Sequence, residues 1–167
     1  MCTDIGCQKN NFLDFMYCRT NINWADLDEH LRLFNMAVYP VAGDGYCYIR
    51  SIIKVLQVDY GWHFTIDEVI ELVEENVLEN LNHYSKWHAA SKREIVHDTG
   101  YYLRGRQYTI DIVDVIVAAT ADYLRIQLKV FNKYGSKVNI ISHTSPNYAN
   151  CSVYVRLAHE HYDAVVD

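Results

Sequence analysis

A cysteine and a histidine at opposite ends of the chain carry the chemistry that the sequence offers. Cys47 follows a small, turn-forming run, Ala42-Gly43-Asp44-Gly45, with Tyr46 between. Tyr48, Ile49, Ile52, Ile53 and Leu56 come after it at the spacing of one helix face. Asp44 stands where an N-cap would, with Gly45 just inside it. The pattern predicts Cys47 in the first turn of a helix that runs to about Val58. There the helix dipole and the unpaired amides favour a thiolate, the reactive form of cysteine. The same amides, with the loop Asp44, Gly45, Tyr46 and Cys47, would form an oxyanion hole for an acyl intermediate.

A thiolate needs a base and a group that orients the base. His161-Tyr162-Asp163-Ala164-Val165 offers both. On a strand, Asp163 points to the same side as His161 and can accept a hydrogen bond from the imidazole. Asp44 is the alternative acceptor. His159 competes with His161, because it shares the face if the strand continues that far. His159 and His161 with Cys47 make a poor zinc set without a second cysteine of matching spacing. No metal and no cofactor are expected. Taken locally, Cys47 also fits the commoner role of a buried small hydrophobe.

Together the two blocks resemble the ovarian tumour (OTU) cysteine protease family, whose members are mostly deubiquitinases. The resemblance rests on Asp44-Gly45-x-Cys47-x-x-Arg50-Ser51 and on His161-Tyr162-Asp163-Ala164-Val165, in the family's order and separation, and spans roughly residues 25–166. It implies Cys47 as nucleophile, His161 as general base, Asp163 as the residue that orients it, and Asp44 as a shaper of the oxyanion loop. It also implies a substrate channel built partly by the loop near residues 101–108, which makes Arg106 and Tyr108, with His159, the substrate-binding candidates. Two positions depart from the pattern. Tyr46 replaces the usual asparagine before the cysteine, and Ile49 replaces the usual aromatic before Arg-Ser.

Composition sets outer bounds. The 167 residues suit one domain with a sizeable core, and a hydrophobic fraction of 50% with 22% charged residues argues against wholesale disorder. Fifteen Lys and Arg against 21 Asp and Glu give a net charge of −6. That disfavours a nucleic-acid binder and suits solubility or a basic partner. Five cysteines without a Cys-x-x-Cys pair point to a reducing compartment rather than a disulfide framework or zinc site. There is no apolar run of membrane-spanning length and no secretory signal pattern. A cytoplasmic monomer is expected, in the host cytoplasm if the chain comes from a virus or pathogen.

The elements that must position these residues follow in order. Residues 1–23 read as a short helix or an irregular segment, an arm partly ordered or the remnant of a larger protein, ahead of an OTU-like domain over 24–167. Trp24 to Phe34 reads as a helix, and Val38 and Tyr39 as an extended approach ended by Pro40. Thr65-Ile66-Asp67-Glu68 is a capping box, and the helix behind it carries an acidic face of Glu68, Glu71, Glu74, Glu75 and Glu79. That face is a solvated surface or a contact to a basic modifier. Trp87 to Asp98 reads as a helix closed by Gly100, and Thr109 caps an almost wholly apolar, buried helix to Leu124. Four strands follow, near residues 126–131, 138–141, 153–157 and 161–165, with a hairpin turn over Asn132–Ser136 between the first two.

The fold expected is α+β, an OTU-like, papain-type arrangement with a small central sheet packed between helices. The function expected is thiol-dependent cleavage after the C-terminal glycine of ubiquitin, polyubiquitin or a ubiquitin-like modifier. The alternative is a catalytically weak domain that binds ubiquitin as an interaction module, a reading that Tyr46 favours.

Overall fold

A computed structural model describes residues 5–19, 22–87, 90–104 and 112–167. Its centre is a five-stranded sheet of order β1-β5-β4-β2-β3, formed by Ala37–Tyr39 (β1), Gln127–Tyr134 (β2), Lys137–Thr144 (β3), Ser152–Ala158 (β4) and His161–Val166 (β5). All neighbours run antiparallel except β2 and β4, which run parallel. The expected α+β fold, a small sheet between helices, is what the chain adopts.

Alternation along the strands gives the sheet two apolar faces. Leu128, Val130, Val153, Val155, Leu157, Tyr162 and Ala164 point into the larger core cluster. The helices on that face are α3 (Cys47–Tyr60), α4 (Ile66–Glu79), α6 (Lys92–Leu103) and α7 (Val113–Leu124), with α5 (Leu81–Trp87) beside them. Phe131, Tyr154 and Val165 point the other way, into a smaller cluster with α1 (Ile5–Cys18) and α2 (Leu27–Leu33). Edge-on ring contacts of Phe12 with Phe34 and Phe131 tie that second layer to the sheet.

The arm expected over residues 1–23 contains α1, and α1 is part of the packed body. Phe12, Leu13 and Met16 are buried. Lys9, fully buried, donates to Asp59 at the end of α3 at 2.6 Å and to the Ser152 carbonyl at 3.0 Å. Trp24–Asp26 forms a 3-10 turn, capped by Asn23, before α2 begins.

Several boundaries differ from the sequence reading, each for a local reason. The capping box of Thr65 and Glu68 forms as expected. A second one, Ser91 with Glu94, starts α6, so the helix expected from Trp87 to Asp98 begins at Lys92, and Trp87 is the last residue of α5. Gly100 lies inside α6 rather than ending it. A Cβ there would stand 3.8 Å from the Glu74 carboxylate of α4, an ordinary contact. The β2–β3 turn is tighter than expected, at Gly135-Ser136, with Gly135 at φ 60°. Thr109, the expected cap of α7, lies outside the described residues.

Candidate active site

The loop between β1 and α3 does not cap α3 as the sequence suggested. Tyr46 occupies the N-cap position without a side-chain bond, and Gly45, at φ 89°, turns the chain just ahead of it. That backbone conformation favours glycine. Asp44 instead folds the loop onto itself and onto the helix. Its carboxylate accepts the Tyr46 amide at 3.2 Å and pairs with the Arg50 guanidinium, the closest approach being 2.5 Å. The guanidinium bonded to Asp44 holds its carboxyl below the usual carboxylate range. Arg50 is one turn into α3, so the pair fastens the loop to the helix that Cys47 begins.

Cys47 is the first residue of α3, nearly buried at 9% exposure, and is a free thiol. The first-turn amides of a helix have no partner within the helix, which leaves donors beside the sulfur. The Tyr46 amide is engaged by Asp44, so the donors left to an anion come from Cys47 onward. Next in α3, Tyr48 is buried with its hydroxyl 2.8 Å from Thr120 of α7, and its ring meets Tyr102 and Tyr162 edge-on. The hydroxyls of Tyr102 and Tyr162 bond each other. This cluster fixes the head of α3 against β5.

The histidine comes from β5. His161 Nε2 lies 3.0 Å from Asp163 Oδ1. A carboxylate only accepts, so Nε2 carries the proton and Nδ1 is left as an acceptor. Pairing of β1 with β5 ends at Tyr39 opposite Ala164, yet the chain continues alongside β5. The Val41 amide donates to Asp163 Oδ1 at 3.2 Å. Gly43 lies against the imidazole, where an added Cβ would stand 3.7 Å from both Nδ1 and Cε1. The free nitrogen of His161 therefore faces the loop that leads into Cys47. An imidazole held this way can take a proton from a thiol and later return one to a leaving group.

Asp163 is held from a second side. Its register partner on β4 is Arg156, whose guanidinium lies 3.4 Å from Asp163 Oδ2 and 2.5 Å from Asp28 Oδ1 on α2. The Trp24 ring sits under that guanidinium, 5.7 Å from centroid to Cζ.

Of the candidates read from sequence, the structure brings His161 and Asp163 together and sets Gly43 between the histidine and the Cys47 loop. Asp44 is occupied by Arg50. His159 does not extend the strand. It forms the β4–β5 turn with Glu160, both at positive φ, and its Nε2 lies 3.2 Å from Lys133 Nζ. Arg106 and Tyr108 fall outside the described residues. Gly43, Val41, Arg156 and Asp28 were missed. A glycine directly before the Asp44-Gly45 turn was a weak signal for the first, and a partner 128 residues away left none for Arg156 and Asp28. Among the described residues no group of three His, Cys, Asp or Glu side chains could hold a metal, and no helix is long and apolar enough to cross a membrane. An open groove of about 440 Å³ runs beside the loop, lined by Tyr39, Val41, Arg50, Ile53, Lys54 and Phe64 among others.

No protein-family model and no curated protein sequence matches the chain. Solved structures do. The OTU domain of OTUD1 aligns with a TM-score of 0.64 at 21% identity, over 86% of this chain and 93% of that one. An OTU deubiquitinase from Wolbachia pipientis wMel, solved bound to ubiquitin, aligns at 0.58 and 14% identity, over 80% and 96%. The fold is that of an OTU domain. A viral OTU domain protease from Dera Ghazi Khan virus aligns at 0.57 and 13% identity, over 89% and 86%. With identities this low the OTU fold is what is shared, and the reading of the site rests on this chain's own geometry.

Proposed function

We propose that this OTU-fold chain is a thiol-dependent deubiquitinase that cleaves the bond after the C-terminal glycine of ubiquitin or a ubiquitin-like modifier. The observation that carries the reading is the histidine. One ring nitrogen is tied to Asp163, and the other faces the loop that delivers Cys47 to a helix N-terminus. Two of the structural neighbours, a deubiquitinase solved with bound ubiquitin and a viral protease, support the choice of substrate.

In this reading His161 Nδ1 takes the Cys47 proton, and the thiolate attacks the carbonyl carbon of the terminal glycine. The carbonyl oxygen becomes an oxyanion that accepts from the first amides of α3. The tetrahedral species collapses, the carbon–nitrogen bond breaks, and the imidazolium protonates the leaving amine. Water, deprotonated by His161, then attacks the thioester and frees the glycine carboxylate and the thiol. Asp163 keeps the imidazole in the required tautomer and stabilises its charged form.

The test is ubiquitin carrying a thiol-reactive group at its C-terminus. The wild-type chain is expected to form a covalent adduct, and Cys47→Ala to form none while keeping its fold by circular dichroism. Ubiquitin bound without an adduct would favour a ubiquitin-binding module instead. Neither adduct nor binding, with ubiquitin and with ubiquitin-like modifiers alike, would remove the protease reading.

A further inference from the structure

We propose that Arg156, clamped by Asp28 and the Trp24 ring, is a positioning residue that acts on His161 through Asp163. The inference rests on the protease reading above.

The third member of a cysteine–histidine site must hold one rotamer, because the imidazole takes its orientation from that carboxylate. In this chain the two oxygens of Asp163 have different partners. Oδ1 receives His161 and the Val41 amide, and Oδ2 receives Arg156. A rotation of the Asp163 carboxylate would break bonds on both sides. Arg156 can do this because it is fixed itself. It lies directly across from Asp163 in the β4–β5 register, with only 21% of its side chain exposed. Its other terminal nitrogen is on Asp28, and the Trp24 ring limits its motion. A planar guanidinium suits two carboxylates on different nitrogens and an aromatic face at once, which an ammonium does not.

The arrangement is also electrostatic. A cation on Asp163 opposes the positive charge that forms on His161, and Asp28 offsets part of that cation. Several neighbouring charged groups have partners of their own. On α2, Arg32 pairs with Glu29, and His30 packs its ring on Phe15. At the β4–β5 turn Lys133 meets His159, and Asp26 is exposed at the 3-10 turn. The two members of the clamp therefore act on His161 with opposite sign. Arg156→Gln removes the opposing cation and favours the imidazolium. Asp28→Asn leaves that cation uncompensated and disfavours it.

The experiment measures kcat/KM against pH on ubiquitin bearing a small fluorogenic leaving group. Arg156→Gln is expected to lower the maximum about tenfold and to raise the acid limb, which reports His161 as the base, by about half a pH unit, the scale of one charge acting through a partly wet site. Asp28→Asn is expected to lower that limb by a smaller amount. Arg156→Lys should bring the limb back while recovering only part of the rate. Urea midpoints of all three should stay near that of the wild type. Limbs that do not move, limbs that move the same way, or a rate loss that tracks a falling urea midpoint would overturn the clamp and leave the protease reading intact. If the wild-type chain turns over no ubiquitin substrate, the protease reading fails. The opposite shifts are then sought in the NMR titration of the His161 ring protons, and their absence sinks the clamp separately.

Discussion

Helix α3 has an ion pair near each end, and the two pairs do opposite work. At its head, Asp44 and Arg50 are each about 40% exposed, close at 2.5 Å, and tie the loop beside Cys47 to the helix. At its tail, Asp59 and Lys9 are fully buried at 2.6 Å. The tail pair is wrapped in further bonds. Lys9 also donates to the Ser152 carbonyl, the Asp167 amide donates to Asp59, and the Tyr60 hydroxyl bonds the Ser152 backbone on both sides. Water screens the head pair, so its value is geometric. The tail pair has left water, so its value depends on both partners being present. One helix thus begins at the exposed Cys47 loop and ends in a buried lock that joins α1, α3 and β4.

The largest expected effect is at the tail. Lys9→Met should destabilise the fold by about 3–5 kcal/mol, because it leaves the Asp59 carboxylate buried without its cation. Urea unfolding measures this, and a loss below 1 kcal/mol would mean that the tail is no lock. The double variant Lys9→Met with Asp59→Leu sharpens the point. It should regain only part of the loss, since the Asp167 amide also uses Asp59. Next is Asp163→Ala on β5, across from the head. It should lower kcat/KM on a ubiquitin substrate by about 100-fold, the low end of what a misdirected acid–base group costs, with little change in the urea midpoint. Equal losses of stability and rate would make Asp163 a structural residue. The smallest expected effect is Arg50→Ala. It should leave the urea midpoint unchanged within error while reducing turnover several-fold through a looser Cys47 loop. A clear fall in the midpoint would erase the contrast between the two ends.

What could be read in the sequence was mostly local. The Thr65–Glu68 box, the apolar α7 and the alternation of β2 each depend on residues within a few positions of one another. The spacing of His161 and Asp163 is also local, and their hydrogen bond needs only a strand. The capping role of Asp44 was a local expectation as well. It failed because Arg50, one turn into the helix, offers the carboxylate a cation that competes with the N-cap amides. The packing of α1 against the sheet was out of reach for the opposite reason. Lys9 reads as a surface residue until its partner, 50 positions later, is known.

The sequence by itself determined the residue types of the site, the helix that starts at Cys47, and the strand that aligns His161 with Asp163. Those rest on helical and strand periods and on turn chemistry, which act over a few residues. Only the tertiary structure decided that β2 and β4 run parallel, that Gly43 lies against the imidazole, and that Asp28 reaches Asp163 through Arg156. Such pairings join segments that are far apart along the chain. They form because burying both faces of one sheet brings those segments together, and no local pattern records which partner will arrive.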